Sequence, residues 1–172
     1  MYEIGYGNIL QLYDIITHLD ENLKYLSLQN KYYYSGNEGN SKISSTILKG
    51  LGQILPGSSE YLDLDLRINP NDLKIFLENC KYMVGLDKLL VRNSNNTDVD
   101  ITFNMLKEFV REKKVKNFAY RVFSYFNPDV LKHHNLEKLV NEAQGFIKIK
   151  KYSDLVVNFD IFTLGNVINE SF

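Results

Sequence analysis

The sequence predicts an α/β fold in which short parallel strands alternate with helices along a repeating chain. Three observations lead to this fold class: an apolar alternation that recurs, apolar stripes at helical spacing between its copies, and helix starts of one type. Parallel strands need crossover connections, and helices between the strands supply them. Such crossovers are right-handed, which gives either a curved solenoid or a layered α/β sheet.

One strand motif occurs twice in nearly the same form. It reads L-x-x-L-x-(L/V)-x-N at Leu23–Asn30 and at Leu86–Asn93, so apolar side chains alternate with polar ones up to a closing asparagine. The same alternation, without the full motif, occurs at Tyr61–Leu66, Val115–Val122 and, more weakly, Tyr152–Phe159. Alternation is typical of strands with one buried face, and its recurrence indicates leucine-rich repeats, in which each unit supplies a strand and a helix.

The middle apolar residue of each copy serves as an anchor from which the repeat length is measured. The anchors are Leu26, Leu62, Leu89, Phe118 and Leu155. The two central intervals are 27 and 29 residues, which agrees with leucine-rich repeats of roughly 20 to 29 residues, whereas the two outer intervals are longer. The sequence therefore predicts a leucine-rich-repeat solenoid with irregular repeats, spanning residues 1–172 as a single domain or as a fragment of a longer array.

Apolar stripes at i, i+3, i+4 and i+7 lie between the strand motifs and predict the helices. The stripes begin at Ile9, Ile47, Leu73, Phe103 and Leu136. Asn69–Asp72 and Asn127–Asp129 repeat one helix-start signal, because asparagine caps the first turn and the proline that follows it needs no N–H partner there. Pro56 ends the second helix, and Lys31–Ser45 before that helix has loop chemistry.

The strand and helix patterns also predict the core. Its members are Leu62, Leu64, Phe76, Leu77, Leu89, Val91, Leu106 and Phe109. The closing asparagine of the strand motif stands one position earlier than in the usual repeat consensus. This position predicts irregular repeats in place of a continuous asparagine ladder.

The composition is that of an ordinary globular chain, with 44% hydrophobic and 24% charged residues. The net charge is -1, so no overall field draws the chain to nucleic acid or to an anionic membrane. Apolar runs are too short to cross a bilayer, and residues 1–5 lack the basic and apolar regions of a signal peptide. Because Cys80 is the only cysteine, we expect a reducing, intracellular compartment, either cytoplasm or nucleus.

Residues that could carry chemistry do not form a recognisable site. His133 and His134 are adjacent and would point about 100° apart on a helix, which is poor geometry for chelating one ion. Gly50-x-Gly52 lacks the pattern of a phosphate loop and is interpreted as a close packing point within a helix. No nucleophile, acid–base pair or metal motif rises above background. The sequence therefore predicts a protein that is not an enzyme and that uses no cofactor or metal.

Side chains that alternate with the core leucines are predicted to point away from the helices, onto an open face of the sheet. They are Tyr61, Asp63, Asp65, Lys88, Leu90, Arg92 and Arg121. Two interpretations stay open: opposite charges on neighbouring strands pair with each other, or the surface binds a partner, as the sheet faces of solenoids do. The second makes all of these residues candidate contacts with an unknown target protein, and not with nucleic acid or membrane.

Four stretches of the chain resemble the repeat region of the fungal F-box/leucine-rich-repeat-like proteins. They are Leu62–Leu64, Ile68–Cys80, Lys88–Asn93 and Asp98–Val110, and the resemblance covers roughly residues 20–160. It implies a protein without catalytic residues whose repeats recognise targets for a cullin-type ubiquitin ligase. The family's F-box, a short helical segment that opens with Leu-Pro, has no counterpart in residues 1–19. Docking on the ligase adaptor is therefore expected only if an F-box lies upstream.

Two functions of other classes stay open from the sequence. The first is a repeat-only scaffold or effector protein unrelated to ubiquitination. The second is a small enzyme on an α/β layer, which would need a deep polar pocket with convergent titratable groups.

Overall fold

Four parallel strands and the helices between them dominate the computed structural model, which describes residues 8–30, 38–95, 97–122, 149–150 and 152–155. In chain order the elements are α1 (Ile9–Leu19), β1 (Tyr25–Gln29), α2 (Glu38–Ile54), β2 (Tyr61–Leu66), α3 (Pro70–Asn79), β3 (Lys88–Asn93), α4 (Val99–Lys113), β4 (Asn117–Val122) and α5 (Tyr152–Leu155). The predicted alternation of helices and strands is confirmed from α1 to β4.

All four strands run parallel and lie in the order β1-β2-β3-β4. Each strand is therefore the neighbour of the strand that follows it in the chain. The predicted anchors are register partners across the sheet: Leu26 pairs with Leu62, Leu62 with Leu89, and Leu89 with Phe118. The prediction of an α/β fold with parallel strands centred on these four residues is confirmed.

The predicted fifth strand is wrong where the structure describes it. Tyr152–Leu155 forms one helical turn, and Ile149 instead makes an isolated parallel bridge to Phe118. Residues spaced i and i+3, as Tyr152 and Leu155 are, also suit a turn of helix, so a short alternation could not distinguish the two structures. Residues 156–159, the helix start predicted at 127–129 and the apolar stripe from 136 lie outside the described residues.

The main core lies between the sheet and the helices, and alternate strand residues point into it. All but one of the predicted core residues are buried there: Leu62, Leu64, Phe76, Leu89, Val91, Leu106 and Phe109. Leu77 is only partly buried. The reason is that Leu77 lines an open groove of about 520 Å³ between α3 and α4.

One helix begins at its predicted cap, and another begins earlier than predicted. α3 starts as predicted, because Asn69 is its N-cap and its side-chain oxygen accepts a hydrogen bond from the Asp72 N–H at 2.9 Å. α2 begins at Glu38, inside the segment that was predicted as a loop. Ser44 lies within this helix, and its hydroxyl oxygen accepts from the Arg67 N–H at 3.1 Å. The serine therefore bonds to the chain that follows β2 and does not cap α2.

The helices are unevenly spaced over the sheet. α2 and α3 are in close contact at Gly52, where an added Cβ would lie 2.7 Å from the Phe76 carbonyl oxygen. A larger residue would force the two helices apart. This contact confirms the interpretation of Gly50-x-Gly52 as a close packing point, and it contrasts with the groove that separates α3 from α4.

Candidate functional site

The candidate site is the sheet face that points away from the helices, here called the outer face. Its side chains occupy alternate positions of the strands and form rows, because parallel pairing brings equivalent positions side by side. The register pairs Tyr61 with Lys88, Asp63 with Leu90, Asp65 with Arg92, and Arg92 with Arg121. The structure therefore brings all the side chains predicted as partner-binding onto one face.

This face is only partly open to solvent, which corrects the prediction of an open face. Tyr61, Asp63, Asp65 and Leu90 are buried, Lys88 and Arg92 are half-buried, and Arg121 is exposed. One reason is Leu155 of α5, which packs with Tyr61, Leu90 and Ala119 in a second hydrophobic cluster, separate from the main core. The partner-binding role of these residues stays a prediction.

The apolar part of the outer face centres on Tyr61. Its ring lies 6.2 Å from that of Tyr25, at an interplanar angle of 42°, and Tyr25 remains 52% exposed. Leu90 and Ala119, which are register partners, extend the apolar surface across β3 and β4. An aliphatic side chain on this surface is removed from water, which favours its binding there.

The polar part of the outer face is organised around Asp65. One of its carboxylate oxygens accepts from Gln29 Nε2 at 3.0 Å and from Arg92 Nη1 at 2.7 Å. In the adjacent row, Ser27 Oγ donates to Asp63 at 3.2 Å. The interpretation that opposite charges on neighbouring strands pair with each other is confirmed for Asp65 and Arg92. Because this carboxylate is buried and bonded from both sides, it holds the Arg92 guanidinium in a defined position.

A second row of charges lies at the amino-terminal edge of the sheet. Lys24, Glu60, Asp87 and Lys116 immediately precede the four strands. Lys24 Nζ lies 3.8 Å from Glu60, and Lys116 Nζ lies 2.8 Å from Asp87. An open groove of about 550 Å³ lies beside this row. Because each acid has a base next to it and the pairs reach solvent, the row contributes little to stability and produces no strong field.

The closing asparagines of the strand motif have a bonding role that their spacing only partly indicated. Asn93 is buried, and its side-chain oxygen accepts from the Ile68 N–H at 2.9 Å. Asn30 is also buried, and its amide donates to Ser44 Oγ at 3.3 Å. β2 and β4 carry leucine and valine at the position of Asn93. The asparagine row is therefore interrupted at β2 and β4, and the leucine-rich-repeat character of the chain stays a prediction.

Two features of the described part of the chain bear on metal binding and nucleophilic chemistry. No group of three or more His, Cys, Asp or Glu residues there could hold a metal ion, and His133 and His134 lie outside that part. Burial raises the pKa of the Cys80 thiol to about 12, despite the opposing charge of Lys113. This thiol stays protonated near neutral pH and is a poor nucleophile. The absence of enzymatic activity stays a prediction.

The fold defines an α/β protein with a four-stranded parallel sheet. Within the ranges that the structure describes, no helix combines the length and apolar character needed to cross a bilayer. None of the protein-family models matches the chain, and no curated protein or solved structure is significantly similar to it. A function must therefore be inferred from the outer face itself.

Proposed function

We propose that this protein is a protein–protein interaction module of the leucine-rich-repeat type, and that its outer face recognises a target protein. In this role it resembles the substrate-recognition part of F-box adaptors of cullin-type ubiquitin ligases. The observation that carries the proposal is the register of the sheet, in which the four strand anchors occupy one row. Arrays whose repeats contact only their neighbours commonly serve as extended binding surfaces.

A backbone hydrogen bond that recurs at the start of successive strands supports a repeat architecture. Its donor is the first residue of a strand, and its acceptor is the residue that precedes the previous strand. The three bonds join Tyr61 N to Lys24 O, Lys88 N to Glu60 O, and Asn117 N to Asp87 O, each at 3.0 Å. Equal geometry at equivalent positions is what repetition of one structural unit produces.

The composition of the outer face favours a protein as its partner. It combines apolar surface at Tyr61 and Leu90 with charged side chains at Asp65, Arg92 and Arg121. Tyrosine and arginine are the residue types that dominate protein interfaces. Because acids and bases are mixed on this face, a uniform polyanion such as nucleic acid would meet repulsion as well as attraction.

In an adaptor of this type, the repeats hold the target and a separate F-box binds the ligase. We extend the proposal to that role for a gene product that carries an F-box upstream of these repeats. Without an F-box, the same face serves a scaffold or effector unrelated to ubiquitination. In either case the repeats contribute binding and no catalysis.

Affinity purification of the full-length gene product with mass spectrometry tests this proposal, and two charge reversals form a matched pair. Arg121→Glu changes an exposed residue of the outer face. Arg111→Glu changes an exposed residue of α4, where the arginine is paired with Glu108. Both changes are expected to leave the free energy of unfolding within about 0.5 kcal/mol, since both side chains lie at the surface. We expect wild type and Arg111→Glu to retain a target that Arg121→Glu loses.

Two other outcomes of this purification are informative. Equal recovery of the target by all three chains, or loss confined to Arg111→Glu, would contradict the assignment to the outer face. Copurification of a cullin and its adaptor with wild type would support the ubiquitin-ligase role, whereas a captured target without them would support a scaffold or effector.

A further inference from the structure

A segment of the chain itself already occupies part of the proposed binding face. Leu155, the last residue of α5, is 8% exposed and packs with Tyr61, Leu90 and Ala119. These three strand residues alternate with residues that face the main core, so their side chains belong to the outer face. The contact therefore covers surface that a partner of this face would use.

The surface formed by Tyr61, Leu90 and Ala119, here called the notch, suits one kind of side chain. Among the described residues, a tyrosine, a leucine and an alanine form the buried apolar cluster with Leu155. The alanine is small, so a branched aliphatic side chain can lie over β4 at this point. An aliphatic side chain buried in such a setting removes apolar surface from water and can anchor a peptide contact.

The residues beside the notch add a preference for charge. Lys88 is the neighbour of Leu90 on the same face of β3, and Arg121 is the neighbour of Ala119 on the same face of β4. The segment that fills the notch carries an exposed acid, Asp154, immediately before its leucine. Asp63, the register partner of Leu90, also lies beside the notch, but it is buried and accepts a hydrogen bond from Ser27. The charges beside the notch that reach solvent are therefore basic, and a leucine next to a carboxylate matches them.

We infer that Tyr152–Leu155 is an internal ligand of the outer face, and that the partner binds through a short segment whose leucine, next to an acidic residue, replaces Leu155. This inference rests on the proposed function and specifies the chemistry of the partner. A segment of the same chain stays close to the face at any protein concentration. It therefore competes with an external segment, and the apparent affinity for that segment is reduced by the fraction of molecules whose notch is filled.

The test uses the full chain and a fluorescein-labelled peptide with the sequence of residues 150–158, KKYSDLVVN. We expect the Leu155→Ala chain to bind this peptide saturably and about tenfold or more tightly than wild type does, because its own segment no longer competes. Leu10→Ala is the matched control, since it removes a leucine that is 72% exposed on α1. This control is expected to bind as weakly as wild type, and a peptide with alanine in place of its leucine is expected not to bind.

A measurement on the unmodified chain covers the case in which Leu155→Ala does not fold. The NMR methyl signals of Leu155 report its position beside the Tyr61 ring. Peptide added in large excess, up to about 10 mM, is expected to displace Leu155 from the notch and so to shift these signals. The methyl signals of Leu48, which is buried in the main core, are expected to stay unchanged.

Several results would overturn this inference. One is a folded Leu155→Ala chain that binds neither the native peptide nor its alanine variant, or that binds both equally. Another is that the Leu155 methyl signals of the unmodified chain do not respond to the peptide. The test is separate from that of the proposed function, because the peptide comes from the chain itself. Peptide binding without any captured target would support the notch as a binding site for a leucine and would count against the proposed function. A captured target that binds wild type and Leu155→Ala equally well would overturn the inference and leave the proposed function intact.

Discussion

The two faces of this sheet are built from the same strands and are buried by different means. In β2 all six residues are buried. The three that face the helices are leucines within the main core. The three that face outward are Tyr61, Asp63 and Asp65, which are buried among polar partners and a second, small apolar cluster. Burial alone therefore does not separate a core face from a binding face, whereas the chemistry of the neighbours does.

The helix side of the sheet is expected to give the largest loss of stability. Leu89 is 1% exposed and lies between the sheet and the helices. Leu89→Ala should lower the free energy of unfolding by about 2 to 5 kcal/mol, because the cavity is enclosed and cannot collapse fully. Urea unfolding followed by circular dichroism measures this loss. An unchanged midpoint would show that the helix side is not the main core.

Leu90, the next residue, sharpens the comparison because it is equally buried but faces outward. Leu90→Ala should cost about 2 kcal/mol, at the lower end for buried leucines, since the short α5 segment can move to close the cavity. The same urea experiment compares the two variants directly. A loss equal to that of Leu89→Ala would mean that the outer cluster is as rigid as the core.

The outer face and the helix layer each contain a buried carboxylate that is paired with a basic side chain. Asp65 on the outer face lies 2.7 Å from Arg92, and Asp72 in α3 lies 2.7 Å from Lys49. Asp65→Asn should cost about 1 to 3 kcal/mol, because it removes the charge that lies 2.7 Å from the half-buried Arg92 guanidinium. Adding Arg92→Met should recover part of this loss. If the double variant is less stable than the two single losses combined, pairing does not explain the burial of Asp65.

Asp72 gives the smallest effect and a dependence on pH. Burial raises the pKa of Asp72, but hydrogen bonds from Lys49, Ser45 and Asn69 and the charge of Lys49 outweigh it, so the pKa lies below its usual value. A carboxyl whose pKa is lower in the folded chain stabilises it above about pH 4, and this stability is lost as the pH falls further, through the folded-state pKa.

The comparison of wild type with Asp72→Asn tests this dependence. At neutral pH the variant should lose about 1 kcal/mol, since Lys49 is largely exposed. Unfolding free energies measured from about pH 7 to pH 2.5 should show a constant difference at first and a shrinking one below about pH 4. A difference that widens in acid would mean that the folded-state pKa of Asp72 is raised.

Most of the fold could be predicted because its signals are local in sequence. The alternation around Leu62 and Leu89 and the cap at Asn69 depend on residues a few positions apart, and the structure confirms each of them. The start of α2 could not be predicted in this way. Serine is a common N-cap residue. The hydroxyl of Ser44, however, accepts a hydrogen bond from the Arg67 N–H, which lies 23 residues further along the chain.

The sequence predicts which residues share the outer face, but it does not predict how deeply they are buried or what they contact. Pleating alone places Tyr61, Asp63 and Asp65 on one side of the strand. Their burial depends on contacts between distant parts of the chain, such as the hydrogen bond from Gln29 to Asp65 and the packing of Leu155 on Tyr61. No periodicity within a single segment signals contacts of this kind, so the predicted open face was wrong.

The central claim is that the target contacts the outer face and not the helix side, and site-specific photocrosslinking tests it most directly. The crosslinker p-benzoylphenylalanine replaces Arg121 on the outer face in one chain. In the other it replaces Glu112 on α4, whose side chain is 74% exposed. We predict that the captured target is crosslinked from position 121 and not from position 112. A crosslink from position 112, with none from position 121, would contradict it.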